Sequence, residues 1–196
     1  MKRSLSRQML WSIGFPTGIL FTAAAWFGAA SSFDRVVEDT EEYARILARY
    51  HAERIEESMN GWKQIPTMTA LVLEQGKFNT EPELEAWLRS VVQHNSDIYG
   101  CCKAFEPESF TPGKHYYAPY WHWQKGDVRF VQVGNSTYDH FKWDWYRLPK
   151  ETGRKLWVEP FFDEGGGDVM MTTYCVPFRR EGKLWGVATV DVALTE

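Results

Sequence analysis

The chain has 196 residues, 44% hydrophobic and 16% aromatic, which bounds it to one domain with a real core, or one plus an appendage, and excludes a disordered chain. Its formal charge of −4 argues against nucleic acid as a partner, since phosphate binding needs clustered Lys and Arg. Three cysteines, Cys101, Cys102 and Cys175, fit no zinc spacing and are too few for a disulfide scaffold.

Residues 1–8 carry Lys2, Arg3 and Arg7, and the uncharged run "MLWSIGFPTGILFTAAAWFGAA" follows over residues 9–30. At about 1.5 Å per residue this run crosses a bilayer core of roughly 30 Å. Gly14, Pro16 and Gly18 weaken a soluble helix but are tolerated in a membrane span. The positive-inside rule leaves residues 1–8 in the cytoplasm and everything after residue 30 outside. A cleaved signal peptide is the rival, with "FGAASS" as its small-residue site. Its apolar core would be unusually long, so a transmembrane anchor is the preferred reading.

Residues 31–79 read as a long stalk helix. Val36, Tyr43, Leu47 and Tyr50, then Ile55, Met59, Trp62, Ile65, Met68 and Val72, recur mostly at steps of three and four. Gly61 and Pro66 predict a bend or an interruption. The first half has a thin apolar seam among many charges, as in a stalk that pairs with its own copy in a homodimer. The second half reads better as a helix lying on its own domain.

Residues 80–196 form the remaining domain. Thr80 with Glu83 makes a capping box around Pro82, and Leu84, Trp87, Leu88, Val91 and Val92 line one face of a short helix. After Asn95 the pattern turns strand-like: "DIYGCCKAF", "HYYAPYWHW", "VRFVQV", "DVMMTTYCVPF" and "LWGVATVDVAL". The last two, joined by "RREGK", predict an antiparallel hairpin. Between the third and fourth lies an insertion, residues 141–167, read as a short helix and a loop that covers one sheet face as a lid. The expected fold is α+β: an antiparallel sheet of about five strands, PAS-like, behind two helices. A bridge from Cys101 or Cys102 to Cys175 needs strands to bring them together; buried free thiols are the simpler reading.

No enzyme signature is present. His115 and His122, seven apart in a strand region, face opposite sides and cannot share a metal without a bulge. The run "DEGGGDV" lacks the Lys and Ser/Thr of a phosphate loop and precedes a strand. Adjacent Asp163 and Glu164 point apart, a poor acid–base pair. Neither a metal nor a cofactor is expected.

The segments "IYGCCKAFEP", "YYAPYWHW", "YDHFKWDWYRLPK", "WVEPFFDEGGGDVMMTTYCVPF" and "GVATVDVAL" resemble the extracellular part of a bacterial Cache-domain sensor. The likeness is to the double Cache type that precedes SpoIIE-class phosphatases, histidine kinases, diguanylate cyclases and chemoreceptors. It implies a membrane-distal PAS-like module that binds a small ligand in the periplasm and signals down the long helix, any catalytic output lying beyond residue 196. It also implies an Arg-x-Trp-Tyr element gripping a ligand carboxylate and an aspartate in the last strand holding the amine. Aligned on Trp145 and Tyr146, Trp143 stands at the arginine's place, with Lys142 and Arg147 the nearest cations. The aspartate falls on Asp191 and a loop aspartate on Asp163. The expected ligand-binding set is Tyr138, Trp143, Trp145, Tyr146, Asp163, Tyr174 and Asp191, an aromatic box with acids suited to an amine, an amino acid or another small metabolite. Exposed tryptophans leave a membrane-anchored carbohydrate-binding module or glycosidase fragment as the alternative, and a purely structural dimerisation domain as a third reading.

Overall fold

The structure, a computed structural model, describes residues 10–194; the expected cytoplasmic stretch 1–8 and Met9 lie outside the described residues. Two compact units divide the chain, Met1–Glu56 and Glu57–Glu196. A π-helical turn, Leu10–Gly14, leads into α1, Phe15–Glu74. Apolar side chains near its start are exposed, Phe21 at 80% and Trp26 at 79%. Among the described residues no helix is long and apolar enough to cross a membrane, the uncharged run being divided between the π turn and α1.

The expected interruption at Gly61 or Pro66 is not found; α1 continues through both. Pro66 lacks an N–H for the helical ladder. Around it Thr67 and Thr69 turn their hydroxyls back to donate to the carbonyls of Lys63 and Ile65, at 2.7 and 2.6 Å. Pro66 itself is buried, so packing holds the helix in register there.

The second unit is built on one antiparallel sheet. After α2, Glu81–Gln93, come β1 (Gly100–Phe105), β2 (Pro119–Gln124) and β3 (Asp127–Gln132). A 3-10 turn, His140–Lys142, precedes α3, Asp144–Thr152. Two short strands follow, β4 (Leu156–Trp157) and β5 (Phe161–Phe162), then the long β6 (Met170–Arg180) and β7 (Lys183–Ala193). The order is β3-β2-β1-β7-β6-β4, with β5 also paired to β6. The sheet thus has seven strands rather than about five. The two extra strands come from the insertion, and at two residues each they are too short to show an alternation. The expected hairpin is present: Glu181 and Gly182 both take positive φ, 50° and 79°, between β6 and β7. That is the backbone of a type I′ turn, whose twist matches the flanking strands.

The expected capping box does not form at Thr80. Thr80 caps with backbone alone, and the Glu83 carboxylate accepts from Asn79 N–H at 3.2 Å.

Each sheet face has its own core. On one, Ala70 and Leu73 of α1 and Leu84, Leu88 and Val92 of α2 pack on Phe105, Val176, Phe178 and Val190. On the other, Tyr138, just before the insertion, and Trp145, Tyr146 and Val158 within it cover Cys102, Ala104, Tyr120 and Val187. The insertion therefore does lie on one face, as expected, and its far end joins the sheet. Central β7, covered on both faces, is buried at every position from Trp185 to Asp191. Cys102 and Cys175 both stand opposite Thr189, on the two strands that flank β7. All three thiols are free and buried, and no bridge forms because β7 lies between.

Candidate functional site

The second face encloses a chamber of about 10 Å³, room for about one water-sized group. Asp163 and Asp191 line it together with Tyr120, Tyr138, Trp145 and Thr173. Among the described residues no Lys, Arg or His side chain lines it. Strand alternation places these groups: Thr173 on β6 and Thr189 and Asp191 on β7 point inward, while their neighbours feed the opposite core.

Asp191 is 4% exposed, and Thr173 Oγ1 donates to its Oδ1 at 2.7 Å. Burial, reinforced by the nearby Asp163 charge, pushes its carboxyl up to about 7. Asp163 leaves β5 at the start of the glycine loop. Its Oδ1 accepts from the Tyr138 hydroxyl, and its Oδ2 accepts from Gly167 N–H at 2.7 Å. Burial raises its pKa as well. The loop must pass close: a Cβ on Gly166 would collide with the Asp163 carboxylate. Tyr99 Oη anchors the same loop by donating to Gly167 O at 2.7 Å, while Tyr99 N–H donates to Asp191 O at 2.8 Å.

Tyr138 is the hub of the aromatic wall. Trp145 Nε1 donates to its hydroxyl at 3.4 Å, and Trp143 stacks on its ring at 5.1 Å and 7°. Tyr120, fully buried, aims its hydroxyl toward Asp191 and favours that acid's charged form, yet the oxygen makes no well-formed hydrogen bond among the described residues. An unpartnered buried hydroxyl beside two acids is costly unless something polar joins it.

Of the seven expected residues, Tyr138, Trp145, Asp163 and Asp191 meet at the chamber. Trp143 lies one layer out, behind Tyr138. Tyr146 does not reach the chamber: its hydroxyl donates to Glu106 Oε1 at 2.6 Å and its ring packs in the core. Tyr174 alternates to the opposite face and packs on Trp157 at 5.2 Å. Sequence reasoning missed Tyr120 and Thr173; strand alternation relative to Asp191 was the signal for Thr173. Neither candidate cation takes up the arginine's role. Lys142 is exposed and pairs with Asp139 at 3.1 Å, and Arg147 pairs with Asp144 and Glu151 at 2.7 and 3.1 Å. Lys103 is buried, but its Nζ donates to the carbonyls of Cys102 and Thr189, at 2.8 and 2.9 Å, and burial lowers its pKa.

Residues 84–196, more than half of the chain, match the family described as methyl-accepting chemotaxis protein-like, first PDC sensor domain. Over 52 residues the sequence is 36% identical to the methyl-accepting chemotaxis protein TlpQ of Pseudomonas aeruginosa, a stretch covering 26% of this chain and 7% of TlpQ. The extracellular domain assigned to histidine kinase soHK1S-Z6 is 28% identical, with a TM-score of 0.66, over 73% of this chain and 56% of that one. Methyl-accepting chemotaxis protein X shares the fold at a TM-score of 0.71 and 21% identity, over 82% and 64% of the two chains. The chain thus spans little more than half of the solved domains that it matches.

Proposed function

Because the chain belongs to the family of methyl-accepting chemotaxis protein-like, first PDC sensor domains, we propose that its second unit binds a small organic cation and reports it as a signal. One observation carries this reading: two carboxylates, Asp163 and Asp191, are buried together in a chamber that no cationic side chain among the described residues lines. Burying charge without a partner is expensive, and a ligand ammonium supplies the partner. Trp145 and Tyr138 add flat faces that attract a cation, each worth about 0.5–2 kcal/mol.

The same geometry favours a simple amine over an α-amino acid. An α-carboxylate sits one carbon from the ammonium and would enter beside Asp163 and Asp191 with no arginine to receive it. Carbohydrate binding, the alternative, finds no support here: the chain is similar to sensor domains of chemoreceptors and histidine kinases, and Trp145 is buried.

Residues 9–30 serve as the membrane anchor in this proposal, with residues 1–8 in the cytoplasm, the stalk over 31–79 and the sensor, 80–196, in the periplasm. Supporting it are 22 successive uncharged residues and a helix start whose apolar side chains are exposed. The stalk pairs with its copy in a homodimer, and no enzymatic activity resides in this chain. The direct test is calorimetry of primary amines and of their α-amino acid counterparts on the full chain. Amines should bind, and Asp191→Asn and Trp145→Ala should each weaken them at least about tenfold. Undiminished binding in both folded variants places the site elsewhere, and tighter binding of the amino acids refutes the amine preference.

A further inference from the structure

A groove of about 440 Å³ opens on the surface of the second unit, walled by Trp143, Leu148, Val158, Pro160 and Phe161. It adjoins the acidic chamber, since Trp145 and Phe161 belong to the walls of both. The partition between them is aromatic. Trp143 lies flat on Tyr138 and stands 5.7 Å from Phe161, centre to centre.

The two volumes are complementary. About 10 Å³ accommodates an ammonium group and leaves no room for a carbon skeleton. Pockets for organic ligands run to roughly 300–1,000 Å³, and the groove alone falls in that range. Its walls are mainly apolar, and its rim holds Lys142, Asp144 and Glu159. Lys142 and Asp144 are already paired with Asp139 and Arg147, respectively, which leaves Glu159 as the rim charge without an ion pair among the described residues. A ligand body seated there is therefore apolar and carries no carboxylate.

We propose that chamber and groove form one bipartite site for an amine with a flat apolar body. The ammonium lies between Asp163 and Asp191, the linker crosses where Trp145 and Phe161 wall both volumes, and the body fills the groove against Leu148 and Pro160. This inference rests on the amine reading and adds the shape of the remainder of the ligand.

The test compares 2-phenylethylamine with ethylamine on the full chain by calorimetry, the weaker amine being measured by displacement. Burying the ring is expected to favour phenylethylamine at least about tenfold. Leu148→Gln, in the groove and remote from the acids, should erase most of that preference and leave ethylamine unchanged. Should Leu148→Gln lose its circular dichroism spectrum, exposed Pro160→Gln reads the same effect. Equal affinity for the two amines overturns the bipartite site and leaves the amine reading standing, as does a ring preference that both variants retain. Binding of neither amine overturns both.

Discussion

Asp191 carries the sharpest expectation at the scale of a single residue. Its carboxyl stands at about 7 in the folded chain against an ordinary 3.8. Between those values the folded state holds a proton that the unfolded chain has released, so stability falls as pH rises through this window and levels off above it. A bound ammonium reverses the preference, because it favours the ionised acid. Amine affinity is therefore expected to rise from pH 6 to pH 8, with proton release on binding visible in calorimetry across buffers of different ionisation heats. Asp191→Asn should flatten that profile and melt at a higher temperature than the parent at pH 8 without ligand. A parent whose amine affinity is indifferent to pH would show that Asp191 does not touch the cation. The sequence pointed to Asp163, Asp191, Trp145 and Tyr138 by resemblance, and these converge. It did not separate Tyr146 and Tyr174 from them: the resemblance gives positions and not faces, and excluding Tyr174 needs the register that pairs Thr173 with Asp191.

Elements with a strong local pattern were legible in advance. The hairpin of β6 and β7 announces itself through "RREGK" between two long β-branched runs, and α2 through the spacing of Leu84, Leu88 and Val92. β4 and β5 were not legible. Their pairing with β6 is decided by tertiary contacts, since two residues cannot display a period. Gly61 and Pro66 misled for a related reason: local propensity predicts a break, but buried packing around Pro66 and the threonine hydroxyls beside it hold the helix. The α2 face is where the unit's stability is most exposed to substitution. Leu88 is fully buried between α2 and the sheet, so Leu88→Ala should cost about 2–5 kcal/mol in urea unfolding, with amine affinity unchanged wherever the variant is folded. A loss below about 0.5 kcal/mol would mean that the helix is not docked as described.

For the whole molecule, the division at Glu57 separates a charged helical segment with an exposed apolar seam from the unit that holds the site. Tyr43, Leu47 and Tyr50 are 67%, 42% and 53% exposed along that seam. Exposed apolar positions at steps of three and four call for a partner helix. Tyr43→Cys, Leu47→Cys and Tyr50→Cys, each in a separate chain, should crosslink to their own copies in membranes, whereas Glu41→Cys, off the seam, should crosslink far less. Equal crosslinking at all four positions would mean random collision and no defined pairing.

The three buried thiols give this protein an internal clock. Cys101 and Cys102 on β1 and Cys175 on β6 flank the central strand, and burial pushes the Cys101 thiol up to about 11. A maleimide can reach them only when the middle of the sheet parts, so its rate of reaction counts openings of the core, as amide exchange does for backbone protons. A ligand that binds only the closed sheet makes those openings rarer by the factor 1 + [L]/Kd. Saturating amine at a hundred times its Kd should slow modification by about a hundredfold, and no dye, tag or downstream signalling partner is needed to see it.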